Sequence, residues 1–323
     1  MGMDKTVDRS GREIARFAEP VDLHVDALLT QLAIDYANEE AAFVANRVLP
    51  RLSVNRESDK YAVYGKEALR LEGDLKRAPK TLYATADWDV TTEDFRTEEY
   101  GVTYPMDDRE RLNADAGMDP DQASTRKLMG IMLVRREADV RDLISNTAVV
   151  TQNTTPAAAA KWSTESSSDP LAAVDTARTA IRRATARNPN CLLLGAAVWD
   201  VVKRHPALLS LVKVTDGMVT RQMAAQLFEV DEIIVGGAIY DSANGGQAYA
   251  GADIWGKDAW LFYRTASPSL YEPSAGYQLV FEDLVTERFR ADDRRLTVIR
   301  TRENRDEVVV DAGAIYYFKS VIA

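Results

Sequence analysis

The spacing of apolar residues over residues 119–148 predicts one long helix. At helical steps of about 100° the large apolar side chains of this stretch fall within a single arc. These side chains are Met129, Met132, Leu133, Val140, Leu143 and Ile144. Asp119 suits the helix N-cap, Pro120 suits the first helical position, and Gln122 stands where a capping box has Glu or Gln. At 1.5 Å per residue the helix would be roughly 40 Å long, enough to span a domain.

Charged residues of the same stretch predict two ion pairs on the solvent side of the helix. Arg135 and Asp139, and likewise Glu137 and Arg141, are spaced i,i+4 and lie outside the apolar arc. Arg136 falls inside the arc. Its guanidinium either reaches solvent along an apolar surface or forms a buried ion pair, and the residues alone leave both interpretations open.

The first 57 residues predict an arm followed by a short helical region. Residues 1–20 carry many charges and few large apolar side chains, so they cannot bury enough surface to fold alone. Residues 21–49 place apolar groups at helical spacing until Pro50 ends the pattern. The positions that carry this spacing are Leu28, Leu32, Tyr36 and Phe43.

Residues 58–107 predict a long, charged β-hairpin. Strand-like runs at residues 60–64 and 82–104 flank a charged segment at residues 66–80 that contains glycine and proline turn markers. An isolated two-stranded ribbon is marginally stable at best in water. We therefore expect this hairpin to lie either along the edge of a sheet or across a neighbouring subunit.

After the long helix, the chain predicts a connector and an α/β block. Residues 151–169 are rich in Thr, Ala and Ser, which favours a flexible connector, and residues 171–187 return to helical spacing. Residues 188–275 alternate short buried strands with short helices. Residues 276–323 contain strand patterns that would pack back against the long helix, so the block is inserted into one larger body.

Composition and charge argue against several classes of protein. The chain has 323 residues, with 50 acidic against 40 basic side chains and a net charge of −10, which argues against a dedicated nucleic-acid binder. The single cysteine, Cys191, rules out an internal disulfide, and its three leucine neighbours predict a buried, unreactive thiol. Residues 1–17 lack the apolar core of a signal peptide, and no apolar run has membrane-spanning length. We therefore expect an intracellular protein that does not enter a membrane.

The side chains needed for catalysis or metal binding are scarce. The two histidines are His24 and His205, and His205 precedes Pro206 where a capping or packing role is expected. The counts exclude a metal site built from Cys and His, and the pair Asp107 and Asp108 lacks the spacing of a calcium loop. The sequence therefore predicts no catalytic, cofactor-binding or metal-binding residues, and no enzyme.

One segment has the spacing of a phosphate-binding loop but lacks its chemistry. Residues 251–258 read GADIWGKD, which places two glycines and Lys257 at the required positions. Asp258 stands where Ser or Thr should hold magnesium, Trp255 is bulky, and the following residues predict a strand rather than the phosphate-binding helix. A nucleotide-dependent enzyme using this loop is thus a weak alternative.

The order of these parts resembles the major capsid proteins of tailed bacteriophages, whose fold is also used by bacterial encapsulin shells. Local sequence supports the resemblance at KYAVYGKE (60–67), WDVVKRHP (199–206) and VDEIIVG (230–236). Further similar segments are residues 43–52, 77–79, 188–190 and 255–258. The resemblance extends over nearly the whole chain and involves no catalytic signature.

This resemblance implies an α+β, tailed-phage major-capsid fold with an N-terminal arm, an extended β-hairpin loop, a peripheral domain with a long spine helix, and an inserted α/β axial domain. The implied boundaries are 1–57 for the arm and short helix, 58–107 for the extended loop, 108–187 for the peripheral domain with its spine helix at 119–148, 188–275 for the axial domain, and 276–323 for strands that return to the peripheral domain.

The implied function is a structural protein that assembles as hexamers and pentamers into an icosahedral shell around double-stranded DNA. Implied partners are copies of the chain, a separate scaffolding protein, a portal and a decoration protein, with weak non-specific contact to the packaged DNA and no membrane. The location would be the virion, after assembly in the host cytoplasm. Candidate inter-subunit contacts are Arg70, Lys76, Arg77, Trp88, Phe95 and Arg136. The alternative within the same fold is an encapsulin-like nanocompartment that holds a cargo enzyme.

Overall fold

A computed structural model of the chain describes residues 41–64, 66, 69, 76–77, 83, 90–109, 120–212, 219–268 and 274–323. The arm expected at residues 1–20 and most of the charged hairpin segment lie outside these residues. So do Arg70, Trp88 and the expected helix cap at Asp119.

Helices and strands alternate along the described chain. The helices are α1 (Ala45–Val48), α2 (Pro120–Ser145), α3 (Pro170–Thr185), α4 (Ala196–Val202), α5 (Pro206–Leu211) and α6 (Arg221–Leu227). The strands of the first half are β1 (Arg51–Ser53), β2 (Ser58–Tyr64), β3 (Val90–Arg96), β4 (Glu98–Asp107) and β5 (Asn153–Thr154). Those of the second half are β6 (Cys191–Gly195), β7 (Glu232–Gly236), β8 (Ile239–Asp241), β9 (Gly251–Asp253), β10 (Ala259–Phe262), β11 (Gly276–Ala291), β12 (Leu296–Val309) and β13 (Ile315–Phe318).

A four-stranded sheet in the order β1-β11-β12-β4 forms one part of the fold. Its centre is the antiparallel hairpin of β11 and β12, which falls within the region of strand patterns expected at residues 276–323. Strand β4 pairs with β12 along its full length, from Glu98 opposite Arg305 to Asp107 opposite Leu296. The predicted hairpin is therefore shorter than 58–107, because its last ten residues belong to this sheet.

Helix α2 is buried along the apolar arc predicted from its sequence, where Met129, Met132, Leu133, Val140 and Ile144 are all buried. Leu128 packs with Met106 of β4 and Ile299 of β12 in this sheet, whereas Val140 and Ile144 belong to an apolar cluster with Leu193 and Trp260. The helix ends at Ser145, three residues before the predicted end, and the Asn146 side chain accepts a hydrogen bond from Ala148 N at 3.0 Å.

A five-stranded sheet in the order β5-β13-β10-β6-β7 forms the second part. Strands β6 and β10 are buried at every residue, because apolar groups cover both faces of the sheet. Leu192 and Leu194 face one apolar cluster, whereas Leu193 and Trp260 face another. This alternation follows the period of two along a strand.

Strand β13 pairs with β10 and β5 in this sheet. Its Ile315 and Tyr317 share a buried apolar cluster with Val140 and Ile144 of α2, so this strand packs against the long helix as expected. One sequence-based expectation about this region is wrong. The segment 151–169 is not a loose connector, because it contains β5 and because Trp162 is 1% exposed and packs on Phe318 with ring centroids 5.7 Å apart. Burial of one large aromatic residue outweighed the small polar composition of its surroundings.

The hairpin of β2 and β3 is anchored on the four-stranded sheet. Its register runs from Ser58 opposite Arg96 to Tyr64 opposite Val90. Tyr61 and Phe95 are each 5% exposed and form an apolar cluster with Tyr277 and Leu279 of β11. The base of the hairpin therefore has the support that an isolated ribbon would lack.

Candidate functional site

Glu137 of α2 forms a buried joint between three segments that are distant in sequence. Its Oε1 accepts hydrogen bonds from Val44 N at 2.8 Å and from Trp255 Nε1 at 2.6 Å. Its Oε2 accepts a third bond, from Ala45 N at 2.8 Å. The carboxylate thus caps the start of α1 and holds the indole that precedes β10. One side chain connects α1, α2 and the inserted α/β block.

The surroundings of the joint leave little room for movement. Trp255 is fully buried, and a Cβ added at Gly236 would lie 2.1 Å from its Cδ1 atom. The ring also meets Trp260 edge-on, with centroids 5.3 Å apart. Trp260 in turn donates to Ile144 O near the end of α2 at 3.2 Å. Only glycine at position 236 permits this close approach.

Burial raises the pKa of Glu137 above its usual value, and the hydrogen bonds from Val44, Trp255 and Ala45 offset only part of that cost. The i,i+4 spacing predicted that Glu137 lies on the solvent side and pairs with Arg141. That interpretation is wrong: Glu137 is 1% exposed, and Arg141 lies 3.2 Å from Asp142 instead. The predicted pair of Arg135 and Asp139 is present at 2.8 Å.

A second joint consists of charges between α2 and β12. Arg136 is 4% exposed and binds Glu303, so the buried ion pair is the correct one of its two interpretations. Arg305 binds Glu303 and Asp139 at 2.7 Å each, and its guanidinium lies 4.2 Å from the centroid of the Tyr100 ring. Because removing one partner of a buried pair leaves an uncompensated charge, the network fixes α2 against the sheet.

A third contact joins α1 to the strands on either side of it. Gln278 of β11 donates to Ala45 O at 3.1 Å and to Leu49 O at 2.8 Å. Arg47 of α1 binds Glu232 of β7 at 2.5 Å. The four residues of α1 therefore touch both sheets. A helix of this length is stable only because of such contacts.

The predicted inter-subunit residues occupy different environments. Phe95 and Arg136 are buried against residues of their own chain, so the described contacts give no support to an interface role for them. Arg77 lies 3.1 Å from the Tyr83 hydroxyl, with its guanidinium 4.4 Å from the centre of that ring. Lys76 is exposed. The interface roles of Lys76 and Arg77, and of the two residues outside the described chain, remain predictions.

Two side chains considered for chemistry, His205 and Cys191, have structural roles, and His24 lies outside the described residues. His205 caps α5 by accepting from Ala207 N at 3.2 Å, and its Nε2 lies 3.0 Å from Ser168 Oγ. Burial lowers the pKa of His205 and raises the pKa of the Cys191 thiol to about 12. These observations fit the capping role and the unreactive cysteine expected from the sequence.

The loop with phosphate-binding spacing is tied to the rest of the fold by its side chains. Lys257 donates to Ala323 O at 2.6 Å, and Asp258 accepts from Ser320 N at 2.6 Å and from the Tyr317 hydroxyl at 3.0 Å. Residues 251–253 form β9, and Trp255 is buried at the Glu137 joint. These interactions give residues 251–258 a packing role and leave Lys257 engaged with the C-terminal residue.

Among the described residues, no group of three or more His, Cys, Asp and Glu side chains is arranged to hold a metal ion. None of the helices described is both long enough and apolar enough to cross a membrane.

The chain is similar along most of its length to two curated phage proteins. It is 29% identical over 306 residues to the major capsid protein of Burkholderia phage BcepMu, covering 92% of this chain and 96% of that protein. It is 27% identical over 254 residues to the major capsid protein of Pseudomonas phage JBD67, covering 74% of this chain and 77% of that protein. No protein-family model matches the chain.

Solved structures show the same fold. A phage-related protein from Bordetella bronchiseptica superposes with a TM-score of 0.72 at 25% identity, covering 93% of this chain and 98% of that one. The capsid structure of the cyanophage P-SCSP1u gives a TM-score of 0.54 at 11% identity, covering 83% and 84%. At that identity the second likeness concerns the fold alone.

Proposed function

We infer that this chain is a major capsid protein of a tailed bacteriophage, a structural protein that forms the shell of the virion. The observation that carries this inference is the extent of the similarity, since 92% of this chain aligns with 96% of a curated major capsid protein. The structural likeness covers the same extent. An inference of function from a short shared motif would have far less support, because one fold can serve many functions.

The interior contacts are consistent with a building block. The Glu137 joint and the Arg136–Glu303 pair hold α2 against both neighbouring parts of the chain. A shell repeats one subunit many times, so an error in the relative position of its parts would recur at every interface. Buried hydrogen bonds with fixed geometry limit such errors better than apolar packing alone.

We propose further that copies of the chain assemble as hexamers and pentamers into an icosahedral shell around double-stranded DNA. The chain carries a net charge of −10, which keeps contact with the packaged DNA weak and non-specific. A separate scaffolding protein, a portal and a decoration protein are the partners that the family resemblance implies. We propose assembly in the host cytoplasm and no catalytic activity.

The encapsulin-like alternative is less well supported. Both curated relatives are phage major capsid proteins, and no observation on this chain favours a cargo enzyme over a genome. The nucleotide-dependent alternative also weakens, because Lys257 and Asp258 are already engaged by the C-terminal residues.

The test is sedimentation velocity of the purified, untagged chain, with negative-stain microscopy of the fastest fraction. We expect capsomer-sized species or closed shells. Replacing residues 66–80 by a short Gly-Ser linker should abolish those species while leaving the far-ultraviolet circular dichroism of the remaining fold unchanged. A matched replacement of the exposed turn at residues 243–247 should leave assembly intact. Normal shells from the first variant would contradict the proposed role of the hairpin, and shells with protein cargo and no DNA from a native source would favour the alternative.

A further inference from the structure

The loop between β8 and β9 contains an asparagine followed directly by a glycine, Asn244 and Gly245, and no other asparagine of the chain precedes a glycine. Both residues are exposed. Gln247 N donates to Asn244 O at 3.0 Å, so residues 244–247 form a turn with two glycines at its centre. The turn lies outside the buried core, and asparagine is among the least stable side chains chemically. This position is therefore open to reaction with solvent.

The two groups that would react with each other make no hydrogen bonds. In the part of the chain that the structure describes, neither the Asn244 side-chain amide nor the Gly245 N–H is bonded to another protein group. The side chain of Asn146, by contrast, accepts from Ala148 N at 3.0 Å. The Asn244 amide is thus free to rotate towards the nitrogen of the next residue.

Glycine at position 245 removes the main steric barrier to this approach. A Cβ built there would meet no heavy atom within 4 Å other than those of its chain neighbours, so the space around its nitrogen is open. Without a side chain, the backbone also reaches conformations that bring this nitrogen to Asn244 Cγ. Asn55 is exposed too, but the side chain of Arg56 hinders the same approach there.

The base of the loop is fixed, whereas its tip is free. Asp241 Oδ1 accepts from Ala243 N and from Ala250 N at 3.0 Å each. The Ser242 N–H and hydroxyl both donate to Ala250 O, at 2.9 Å each. These bonds hold the two ends of the loop beside the strands, so residues 244–247 can absorb a small change in backbone length without unfolding the strands.

We propose that Asn244 is a site of spontaneous deamidation, through a cyclic imide formed with Gly245. The Gly245 nitrogen loses its proton to hydroxide and attacks Asn244 Cγ. A C–N bond forms, and the side-chain nitrogen leaves as ammonia. Water then opens the ring, which gives aspartate when it attacks Cγ and isoaspartate when it attacks the main-chain carbonyl. The net reaction consumes one water, releases one ammonia and needs neither an oxidant nor a reductant.

The product changes the charge and the backbone of the loop. Each event converts a neutral amide into a carboxylate that is ionised at neutral pH, and isoaspartate also adds one methylene group to the main chain. In a shell of many copies, each copy would react independently, so a single shell would come to contain a mixture of the three forms. This last consequence rests on the proposed function, whereas the reaction itself does not.

Peptide mapping by mass spectrometry tests the proposal on the full-length, unmodified chain. After incubation at mildly alkaline pH, the peptide that contains Asn244 should acquire the mass of the acid in two separable products, and isoaspartyl methyltransferase should label one of them. Conversion should be slower at mildly acidic pH, because the reaction needs a deprotonated nitrogen. Asn55 and Asn146 are internal controls and should convert at least roughly tenfold more slowly, since neither precedes a glycine. Equal conversion at the three positions would overturn the proposal.

Gly245→Ala tests the part played by the glycine. The added methyl group should slow the conversion of Asn244 at least roughly tenfold, because it restricts the backbone and crowds the attacking nitrogen. The fold should be unaffected, since the position is open, and circular dichroism checks this. Gly130→Ala is the matched control, because its added Cβ on α2 also meets nothing within 4 Å, and it should leave the conversion rate unchanged. If Gly245→Ala reacts as fast as the unmodified chain, the imide does not form through this nitrogen and the proposal is wrong.

Discussion

Substitutions of Glu137 should separate its hydrogen bonds from its charge. Glu137→Ala leaves three buried N–H donors unpaired, those of Val44, Ala45 and the Trp255 indole. At about 1–2 kcal/mol for each unpaired donor, the free energy of unfolding should fall by about 3–6 kcal/mol. That is a large part of the roughly 5–15 kcal/mol that stabilises a typical domain. Part of the loss is offset, because the variant no longer buries a charge.

Glu137→Gln is the milder and more informative change. Its amide oxygen can still accept from Val44 N and Trp255 Nε1, but its NH₂ group faces Ala45 N, so one hydrogen bond is lost. We expect a loss of about 1–2 kcal/mol. Urea unfolding of unassembled subunits, followed by circular dichroism, measures both variants, with Asp142→Asn as the control because that side chain is 63% exposed on the same helix.

Glu137 also determines the direction in which the stability of the unmodified chain changes with pH. The folded-state pKa of Glu137 is raised above its usual value of 4.5, so the folded chain holds this proton more tightly than the unfolded chain. Its contribution to stability is therefore complete below pH 4.5 and falls as the pH rises through the folded-state pKa. Glu137→Gln should remove that slope. If Glu137→Ala lowers the free energy of unfolding no more than Asp142→Asn does, the hydrogen bonds at the Glu137 joint do not exist as described.

Further substitutions test the other contacts. Glu303→Ala should lower the free energy of unfolding by about 3–5 kcal/mol, because it leaves buried cations without their partner. Combining Glu303→Gln with Arg136→Met should lower it clearly less. Equal losses in urea unfolding would contradict a buried pair. Trp162→Ala should cost about 3–5 kcal/mol in the same assay, against no measurable loss for the exposed Ser166→Ala, and a small effect would restore the flexible connector. Because burial lowers the pKa of His205 below 6.5, the unfolded chain binds that proton more readily, and stability should decline as the pH falls below 6.5. His205→Asn, which can keep the bond to Ala207 N, should weaken that decline in thermal melts at successive pH values.

Periodicity predicted the elements that obey a single local rule. The apolar arc of α2 could be identified because one spacing repeats over several turns, and β6 and β10 because each is a short continuous apolar run. The length of β11 and β12 could not, because charged side chains interrupt their apolar pattern. Glu287 illustrates the cause: burial alone would raise the pKa of its carboxyl, but hydrogen bonds from Arg300 and Arg302 more than offset this, so the pKa is lowered. Such cross-strand pairs allow charged residues to continue a strand.

The Glu137 joint escaped prediction for a related reason. A helical projection ranks faces by apolar content and therefore assigns a glutamate to solvent, although Trp255 and the start of α1 cover that side. The only local signal was Trp255 next to Gly256 in a loop, which sequence inspection attributed to a failed phosphate-binding motif. The donors of Val44 and Trp255 lie 93 and 118 residues from their acceptor, so tertiary structure alone brings them together.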